Sequence, residues 1–371
     1  MYLSDLSVLN FKNYPESTLS LHKKINCFVG NNGVGKTNIL DAVYYLCMCK
    51  SYFNNTDQFV IRNNEDFMVL QGSFSLDNEV DNIYCGLKSG KKKVFRKNKK
   101  EYHKLSDHIG LFPVVMISPS DSSLIIDTSE ERRKYMNAVI SQYDKDYLEN
   151  VIHYNKILAQ RNKLLKDIRN TQGANDLLLV YDEQLLPLGN KIHISRKDFI
   201  EHLTPVFKDF YRQISEGKEQ VELNYLSQLN NESFEVLIKN NHQKDLIAQY
   251  TTTGIHKDDL EMVLLGSPIK KIGSQGQQKT FLVALKLAQF KFLSEIKNFS
   301  PILLLDDIFD KFDVNRVSQI LHLVSDNNFG QILITHTNEY RMKELLKKIE
   351  GGYKLFKVEE NQINLIDSEE K

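Results

Sequence analysis

The chain has 371 residues, of which 41% are hydrophobic and 26% charged, a composition typical of globular proteins and a length sufficient for two or three structural units. Its 48 Lys and Arg residues balance its 48 Asp and Glu residues, so the net charge argues neither for nor against nucleic acid as a partner. No stretch approaches the ~20 continuous apolar residues of a transmembrane helix, and the first residues lack a secretory signal, which argues against a membrane partner and predicts a cytoplasmic protein.

The N-terminal region predicts two paired strands, over residues 1–11 and 17–21, followed by a phosphate-binding loop. From Ile25 to Val43 a short apolar run passes into the pattern G-x-x-x-x-G-K-T and then into an amphipathic segment, which predicts a strand, a loop and a helix. Glycines let such a loop curl so that several amide groups point at one phosphate chain, and the helix start adds a positive dipole. The predicted nucleotide-binding residues are Gly30, Asn31, Asn32, Gly33, Val34, Gly35, Lys36, Thr37 and Asn38.

Two side chains of this loop have predicted chemical roles. Lys36 would neutralise the β- and γ-phosphate oxygens during catalysis. Thr37 would place its hydroxyl on Mg²⁺. The sequence therefore predicts a nucleotide bound together with a magnesium ion.

A strongly basic stretch follows residues 67–74 and 81–87, which alternate like two half-exposed strands of a small antiparallel sheet. Residues 88–104 hold nine Lys or Arg and one Glu, a local charge of +8 (nine minus one). Such a stretch could track the phosphate backbone of DNA, or it could be a solvated hairpin that turns near Asn98, and the charge alone favours neither interpretation. The candidate DNA-binding residues are Lys91, Lys92, Lys93, Arg96, Lys97, Lys99 and Lys100.

A helical region is predicted from residue 127 to about residue 211. Apolar residues recur at alternating three- and four-residue intervals over 151–168 and again over 181–192, which is typical of two helices in an antiparallel coiled-coil-like hairpin. Pro187 and Gly189 predict a kink or a break in the second helix. Both a protruding arm and two core helices of a compact helical domain fit this pattern.

The C-terminal part of the chain contains further candidate parts of a nucleotide site. Residues 301–305 predict a central parallel strand beside the phosphate loop, followed by Asp306, which would hold Mg²⁺, and Asp307, which would orient or deprotonate the attacking water. A strand over 331–336 ends at His336, which would either sense the γ-phosphate or serve the structure alone. A second anion-accepting turn at the start of a helix is predicted from Ser274, Gln275, Gly276 and Gln277.

The order of these motifs resembles the ATP-binding cassette arrangement, in which the signature turn of one subunit covers the γ-phosphate held by another. More specifically, the chain resembles the RecF family of bacterial recombination ATPases over essentially its whole length. The landmarks that carry the resemblance are Phe11–Tyr14, Gly30–Asn38, Ser129–Tyr135, Thr253–Leu260, Ser274–Gln278 and Leu305–Asp307. Ile255 and Lys257 stand where the family usually has proline and arginine, residues 310–313 read D-K-F-D in place of S-E-L-D, and His336 is not general in the family.

The resemblance implies an α/β fold with a P-loop ABC-type ATPase head, built on a mixed sheet, and a helical coiled-coil-like arm domain. Residues 1–120 and 253–371 would form the head, and residues 121–252 the arm. It also implies a weak, DNA-stimulated ATPase of recombinational repair and replication-fork maintenance that forms a homodimer on binding ATP. Such proteins bind double-stranded and gapped DNA, act with RecR and RecO, and help load RecA at gaps coated with single-stranded-DNA-binding protein. The alternative is a chromosome-organising structural-maintenance-type ATPase, although no C-x-x-C hook joins the two helices here.

Overall fold

The computed structural model describes residues 1–54, 56–168, 171–217, 219–308, 329–347, 352–360 and 362–370. By its internal contacts the chain divides into two compact units, the first made of Met1–Asp121 and Leu282–Lys371 and the second of Ser122–Phe281. Residues 253–281, which the sequence places in the C-terminal part of the head, cluster with the second unit because their strand pairs with residues 221–226 of that unit.

One sheet of the first unit is antiparallel and six-stranded, and it contains both strand pairs predicted within residues 1–21 and 67–87. Strands are numbered along the chain, and the order across this sheet is β2-β1-β4-β5-β6-β7. Its members are β1 (Tyr2–Phe11), β2 (Tyr14–Ser20), β4 (Phe67–Leu76), β5 (Glu79–Lys88), β6 (Val94–Lys97) and β7 (Lys100–Glu101). The basic stretch therefore forms the edge hairpin β6–β7, whose turn residues Asn98 and Lys99 adopt positive φ angles of 51° and 70°.

The other sheet of the first unit is mixed, with five parallel strands and one antiparallel edge strand, in the order β15-β14-β3-β13-β12-β8. Its members are β3 (Ile25–Val29), β8 (Val114–Ile117), β12 (Ile302–Leu305), β13 (Ile332–His336), β14 (Tyr353–Glu359) and β15 (Gln362–Glu369). The predicted α/β fold with a mixed sheet is confirmed. The strand before Asp306 is not the direct neighbour of the strand before the phosphate loop, because β13 pairs with both β12 and β3.

Helices surround these strands. Helix α1 (Lys36–Met48) follows the phosphate loop, α8 (Gln275–Lys297) follows Ser274, and α9 (Glu339–Leu346) follows β13. One face of α8 is buried along the helix, with members at three- and four-residue spacing: Phe281, Leu285, Ala288 and Phe292. No helix in the described part of the chain is long and apolar enough to cross a membrane.

The second unit combines helices with a small antiparallel sheet that the sequence does not predict, in the order β11-β10-β9. The strands are β9 (Val221–Leu226), β10 (Asp259–Leu264) and β11 (Ser267–Pro268). The helices are α2 (Ser123–Ile126), α3 (Ser129–Ile140), α4 (Lys145–Asp167), α5 (Ala174–Ser215), α6 (Phe234–Ala248) and α7 (Ile269–Ile272). Helix α6 begins after Ser233, whose side chain caps the helix by accepting from the Val236 N–H.

The two predicted long helices are α4 and α5, and the buried residues of α5 keep the three- and four-residue spacing over most of its length. The predicted break does not occur, since α5 is one continuous helix of 42 residues that includes Pro187 and Gly189. The missing backbone hydrogen bond at Pro187 is offset by packing on both sides, where Leu185 and Ile192 are fully buried. Gly189 serves packing, because a Cβ there would lie 2.4 Å from the Phe234 ring of α6.

Candidate nucleotide-binding site

The phosphate loop runs from the end of β3 into α1, and its backbone needs glycine at several points. Gly33 and Gly35 have φ angles of +85° and +107°, in the left-handed region that favours glycine. A Cβ on Gly30 would lie 2.3 Å from the carbonyl oxygen of Val358 in β14. The Lys36 ammonium donates to the carbonyls of Gly30 and Asn31, at 2.8 and 2.9 Å. The loop thus forms a phosphate-binding cradle with the Lys36 ammonium at its rim, beside the N–H groups at the start of α1.

The turn between β1 and β2 braces this loop from outside. Asn13 Nδ2 donates to the Val34 carbonyl at 3.1 Å, and the Tyr14 hydroxyl donates to the Gly35 carbonyl at 3.1 Å. The Asn38 amide in turn donates to Asn13 Oδ1 at 2.6 Å. In the sequence Phe11–Tyr14 is only a family landmark, which by itself does not predict that these residues brace the phosphate loop. The available signal is a pair of polar residues placed directly after a strand that precedes the loop.

The two acidic residues lie where β12 ends, and the first of them reaches the loop. Thr37 Oγ1 donates to Asp306 Oδ1 at 2.8 Å, although the two residues are 269 positions apart. Asp306 Oδ1 also accepts from Thr335 Oγ1 at 2.9 Å, and its Oδ2 accepts from Ser118 Oγ at 3.4 Å. Neither Thr335 nor Ser118 is identified from the sequence, since both act through contacts that only the sheet register creates.

The environment of Asp306 fits a bound magnesium ion. Burial raises the pKa of its carboxyl above the ordinary value, against the hydrogen bonds from Thr37, Thr335 and Ser118 that favour the anion. A cation beside this buried carboxylate would remove that penalty, and carboxylate and hydroxyl oxygens are the ligands that Mg²⁺ prefers. The described residues contain no cluster of three or more His, Cys, Asp or Glu side chains that could hold a metal by itself. A nucleotide-linked Mg²⁺ held by Thr37 and Asp306 therefore suits the site better than a protein-only metal centre.

Asp307 and His336 lie at the ends of neighbouring strands. Asp307 is half-buried, has a positive φ of 44°, and donates its backbone N–H to Thr335 Oγ1 at 2.9 Å. His336 is the last residue of β13, lies opposite Val29 of β3, and accepts at its carbonyl from the Gly30 N–H at 3.3 Å. The first unit therefore brings Lys36, Thr37, Asp306, Asp307 and His336 to one edge of the mixed sheet. Residues 310–313 lie outside the described residues.

The predicted second anion turn lies in the second unit, at the N-terminus of α8. Ser274 Oγ accepts from the Gln277 N–H at 3.3 Å, while Gln277 Oε1 accepts from the Ser274 N–H at 2.8 Å, a reciprocal capping box. Gln277 Nε2 also donates to Glu219 Oε1 at 2.7 Å, which fixes its side chain. Ser274 and Gln275 are exposed, so the start of this 23-residue helix is accessible to an anion.

Two other landmarks meet inside the second unit and serve its structure. Arg132 pairs with both carboxylate oxygens of Asp259, at 2.6 and 3.0 Å, and Arg133 donates to the Asp258 carbonyl at 2.7 Å. The buried Arg196 of α5 donates to Asp258 Oδ2 at 2.6 Å. These contacts join the segments 129–135 and 253–260.

The basic hairpin does not present all of its cations to solvent. Lys93 points inward, where its ammonium contacts Asp57 at 2.9 Å and the Cys49 carbonyl at 2.6 Å. Lys97 pairs with Asp81 at 2.6 Å, and Arg96 lies over the Tyr84 ring, 5.3 Å from its centroid. The exposed lysines among the candidate DNA-binding residues are Lys91, Lys92, Lys99 and Lys100. The hairpin interpretation is thus confirmed, and these four exposed lysines remain available for a DNA surface.

Comparison with known proteins covers the whole chain. A family model described as the RecF/RecN/SMC N-terminal domain matches residues 2–364. Proteins named DNA replication and repair protein RecF from Bacteroides fragilis strain YCH46 and Bacteroides thetaiotaomicron are each 49% identical, with complete coverage of both chains. The RecF of Flavobacterium johnsoniae is 46% identical over 96% of this chain and 99% of its own.

Solved structures agree with these relatives. The structure of the recombination mediator protein RecF-ATP in the RecFOR pathway has a TM-score of 0.89 and 30% identity, and the match covers 99% of this chain and 98% of that one. An Smc head domain with an extended coiled coil from Pyrococcus furiosus has a TM-score of 0.57 at 15% identity, covering 100% of this chain and 96% of that one. The second likeness concerns the fold alone.

Proposed function

Because this chain belongs to the RecF family of DNA replication and repair proteins, we propose that it is an ATP-dependent DNA-binding protein of recombinational repair that dimerises around ATP. The observation that carries this proposal is the 2.8 Å hydrogen bond between Thr37 and Asp306, since it joins a phosphate loop to an acidic strand end. A RecF structure with ATP, similar in fold to this chain, supports ATP as the nucleotide.

Each residue of the site has a proposed task in holding MgATP. The loop residues Gly30 to Thr37 offer backbone N–H groups to the phosphates, and the Lys36 ammonium turns from the loop carbonyls to the β- and γ-phosphate oxygens. Thr37 and Asp306 would hold Mg²⁺, which would supply positive charge against the negative charge that develops on the phosphate oxygens. Asn38 and the braced turn at Asn13 keep the loop in place.

Two further residues, Asp307 and His336, have proposed roles in ATP hydrolysis. Asp307 orients the attacking water or takes its proton, because it follows the metal-binding carboxylate at the strand end. His336 lies one strand closer to the loop and would sense the γ-phosphate. Slow turnover that is stimulated by DNA would make ATP hydrolysis a switch that releases the complex.

The site is completed by a second copy of the chain. Ser274, Gln275, Gly276 and Gln277 of that copy would bind the γ-phosphate at the exposed N-terminus of α8. Nucleotide binding and dimer formation then depend on each other, since neither copy alone holds all the phosphate ligands. The exposed lysines of the basic hairpin would contact double-stranded or gapped DNA. RecR- and RecO-type mediators would bind the dimer on DNA, so that RecA can replace single-stranded-DNA-binding protein.

Gel shifts on gapped duplex DNA, with and without MgATP, test the proposal together with sedimentation of the protein alone. We expect dimers and tight DNA complexes only when MgATP is present. The Asp307→Asn variant should keep nucleotide-driven dimers while hydrolysis falls by about 100-fold or more, because the water loses its base. The Lys36→Arg variant should lose turnover as well, since the wider guanidinium does not place one compact charge on the β- and γ-phosphate oxygens.

Two results would contradict the proposal. Unchanged hydrolysis in the Asp307→Asn variant would remove Asp307 from its role. A wild-type monomer that responds to neither MgATP nor DNA would remove the whole proposal.

A further inference from the structure

The Thr335 hydroxyl lies between the two acidic residues and bonds to both of them. It donates to Asp306 Oδ1 at 2.9 Å and accepts from the Asp307 N–H at 2.9 Å. The side chain is fully buried, so no bulk water can replace these bonds. One hydroxyl therefore uses its single proton on the first residue and a lone pair on the second.

The sheet register creates this arrangement. Strands β12 and β13 are parallel, with Leu305 opposite Ile334, so that Asp306 and Thr335 are the next residues on each strand. At Asp307 the chain leaves the strand with a φ of 44°, in the left-handed region that non-glycine residues adopt only when their surroundings hold them. The Asp307 N–H consequently meets a side-chain hydroxyl in place of a ladder carbonyl.

We propose that Thr335 is a positioning residue for ATP hydrolysis, because its hydroxyl orients the Asp306 carboxylate and keeps the Asp307 backbone in its left-handed conformation. The inference rests on the proposed function, since it assigns a task within the same site. One hydroxyl thereby couples the carboxylate of Asp306 to the backbone of Asp307.

The other hydroxyls around Asp306 do not provide the same support. Thr37 bonds to the same oxygen at 2.8 Å, but its hydroxyl is also the proposed Mg²⁺ ligand. Ser118 approaches the other oxygen only to 3.4 Å. Once Thr37 serves the metal, Thr335 is the remaining donor within 3 Å among the described contacts of this carboxylate.

Steady-state kinetics of three substitutions test the inference. Thr335→Val keeps the side-chain shape without the hydroxyl, Thr335→Ala is a smaller hydroxyl-free variant, and Thr335→Ser restores the hydroxyl. We expect both hydroxyl-free variants to lower kcat for ATP by about 10- to 100-fold, as for other residues that orient catalytic ligands, with KM within about threefold of wild type. Thr335→Ser should stay within about threefold of wild type in both constants.

A matched control separates the cost of removing a buried hydroxyl from the effect on the acidic residues. Thr253 is also fully buried, and its hydroxyl donates to Gln228 at 2.8 Å in the second unit. The Thr253→Val variant should leave kcat and KM unchanged. Equal losses in Thr335→Val and Thr253→Val would overturn the inference, and so would a Thr335→Ser variant as slow as Thr335→Val.

A binding measurement gives a readout apart from turnover. Titration of a fluorescent ATP analogue without metal should give the same affinity for Thr335→Val and wild type, because Lys36 and the loop are untouched. The Mg²⁺ concentration at half-saturation should rise by about tenfold in Thr335→Val and return in Thr335→Ser, because Asp306 is no longer held in place. An unchanged Mg²⁺ dependence together with an unchanged kcat would overturn the inference. A wild-type protein that binds no nucleotide would instead remove the proposed function, and the inference with it.

Discussion

The Gly35 backbone passes so close to the Asn13 side chain that a Cβ on Gly35 would lie 2.2 Å from Asn13 Nδ2. The phosphate loop is therefore shaped from two directions, by its own glycines and by the turn between β1 and β2. Gly33 shares the positive φ of Gly35, but a Cβ on Gly33 would have no heavy atom within 4 Å. A side chain at Gly33 would therefore add backbone strain alone, whereas one at Gly35 would add both backbone strain and a steric clash.

We expect Gly35→Ala to weaken nucleotide binding by more than Gly33→Ala does. Backbone strain at a positive φ costs about 1–3 kcal/mol in either variant, which corresponds to roughly 5- to 150-fold in affinity. Gly35→Ala adds the clash with Asn13, so it should bind more weakly than Gly33→Ala in a titration with a fluorescent ATP analogue. Adding Asn13→Ala should recover the part due to the clash alone. Equal losses in the two glycine variants would show that the brace does not fix the loop.

Neutralising the exposed lysines of the basic hairpin should weaken DNA binding and flatten its salt dependence. The slope of log K against log salt should fall by about 0.9 for each phosphate of duplex DNA that the variant no longer neutralises. The variant carries glutamine at Lys91, Lys92, Lys99 and Lys100. Lys93 is left in place because it contacts Asp57 inside the first unit, and Lys93→Gln alone should instead cost about 1–3 kcal/mol of folding free energy.

A matched variant tests whether the hairpin or the helical part carries the DNA affinity. Three lysines of α4 are exposed in the same way and are replaced together: Lys156, Lys163 and Lys166. The hairpin proposal predicts that their replacement changes the salt slope less than replacement of the four hairpin lysines does. A large effect of the α4 variant with none from the hairpin variant would place the DNA surface elsewhere.

The parts of the site that depend on local sequence could be predicted. The loop glycines, Lys36 and Thr37 follow one another, and the strand and helix around them have clear periodicity, so the prediction needs no distant contact. Thr335 could not be identified in this way, because its role depends on the register of two strands whose contacting residues are 29 positions apart. Ser118 could not be identified from the sequence either, because its contact with Asp306 also depends on which strands pair.

A charge pattern in the sequence likewise does not tell which of the basic side chains in residues 88–104 are exposed. Lys92 and Lys93 are equivalent in the sequence, yet one is exposed and the other contacts an aspartate 36 positions earlier. The predicted break in α5 is absent, and Gly189 instead makes room for the Phe234 ring, a packing role that the residues around Gly189 in the sequence do not indicate. Tertiary packing was the missing information in both cases.

Gly189→Ala should destabilise the second unit although alanine favours a helix. Propensity would contribute about 1 kcal/mol in favour of the folded state. The added methyl would lie 2.4 Å from Phe234 Cε1 in a fully buried contact, and such overpacking costs about 1–3 kcal/mol. We therefore expect a net loss of up to about 2 kcal/mol in urea unfolding. Phe234→Leu should restore part of it in the double variant, and a more stable Gly189→Ala protein would contradict this packing.

The buried His108 and the half-buried His256 should make folding sensitive to mild acid. Burial lowers the pKa of His108 and of His256 to about 4, below the ordinary value of 6.5. Between these values the unfolded chain binds protons that the folded chain does not, so stability is full above pH 6.5 and falls as the pH drops towards 4. From pH 7 to pH 5 each histidine should cost about 2 kcal/mol of unfolding free energy. His108→Gln keeps a donor for the Leu46 carbonyl, which His108 Nε2 contacts at 2.6 Å, and it should lower the pH dependence by one histidine's share. A pH dependence equal to that of wild type would show that His108 takes up its proton in the folded protein.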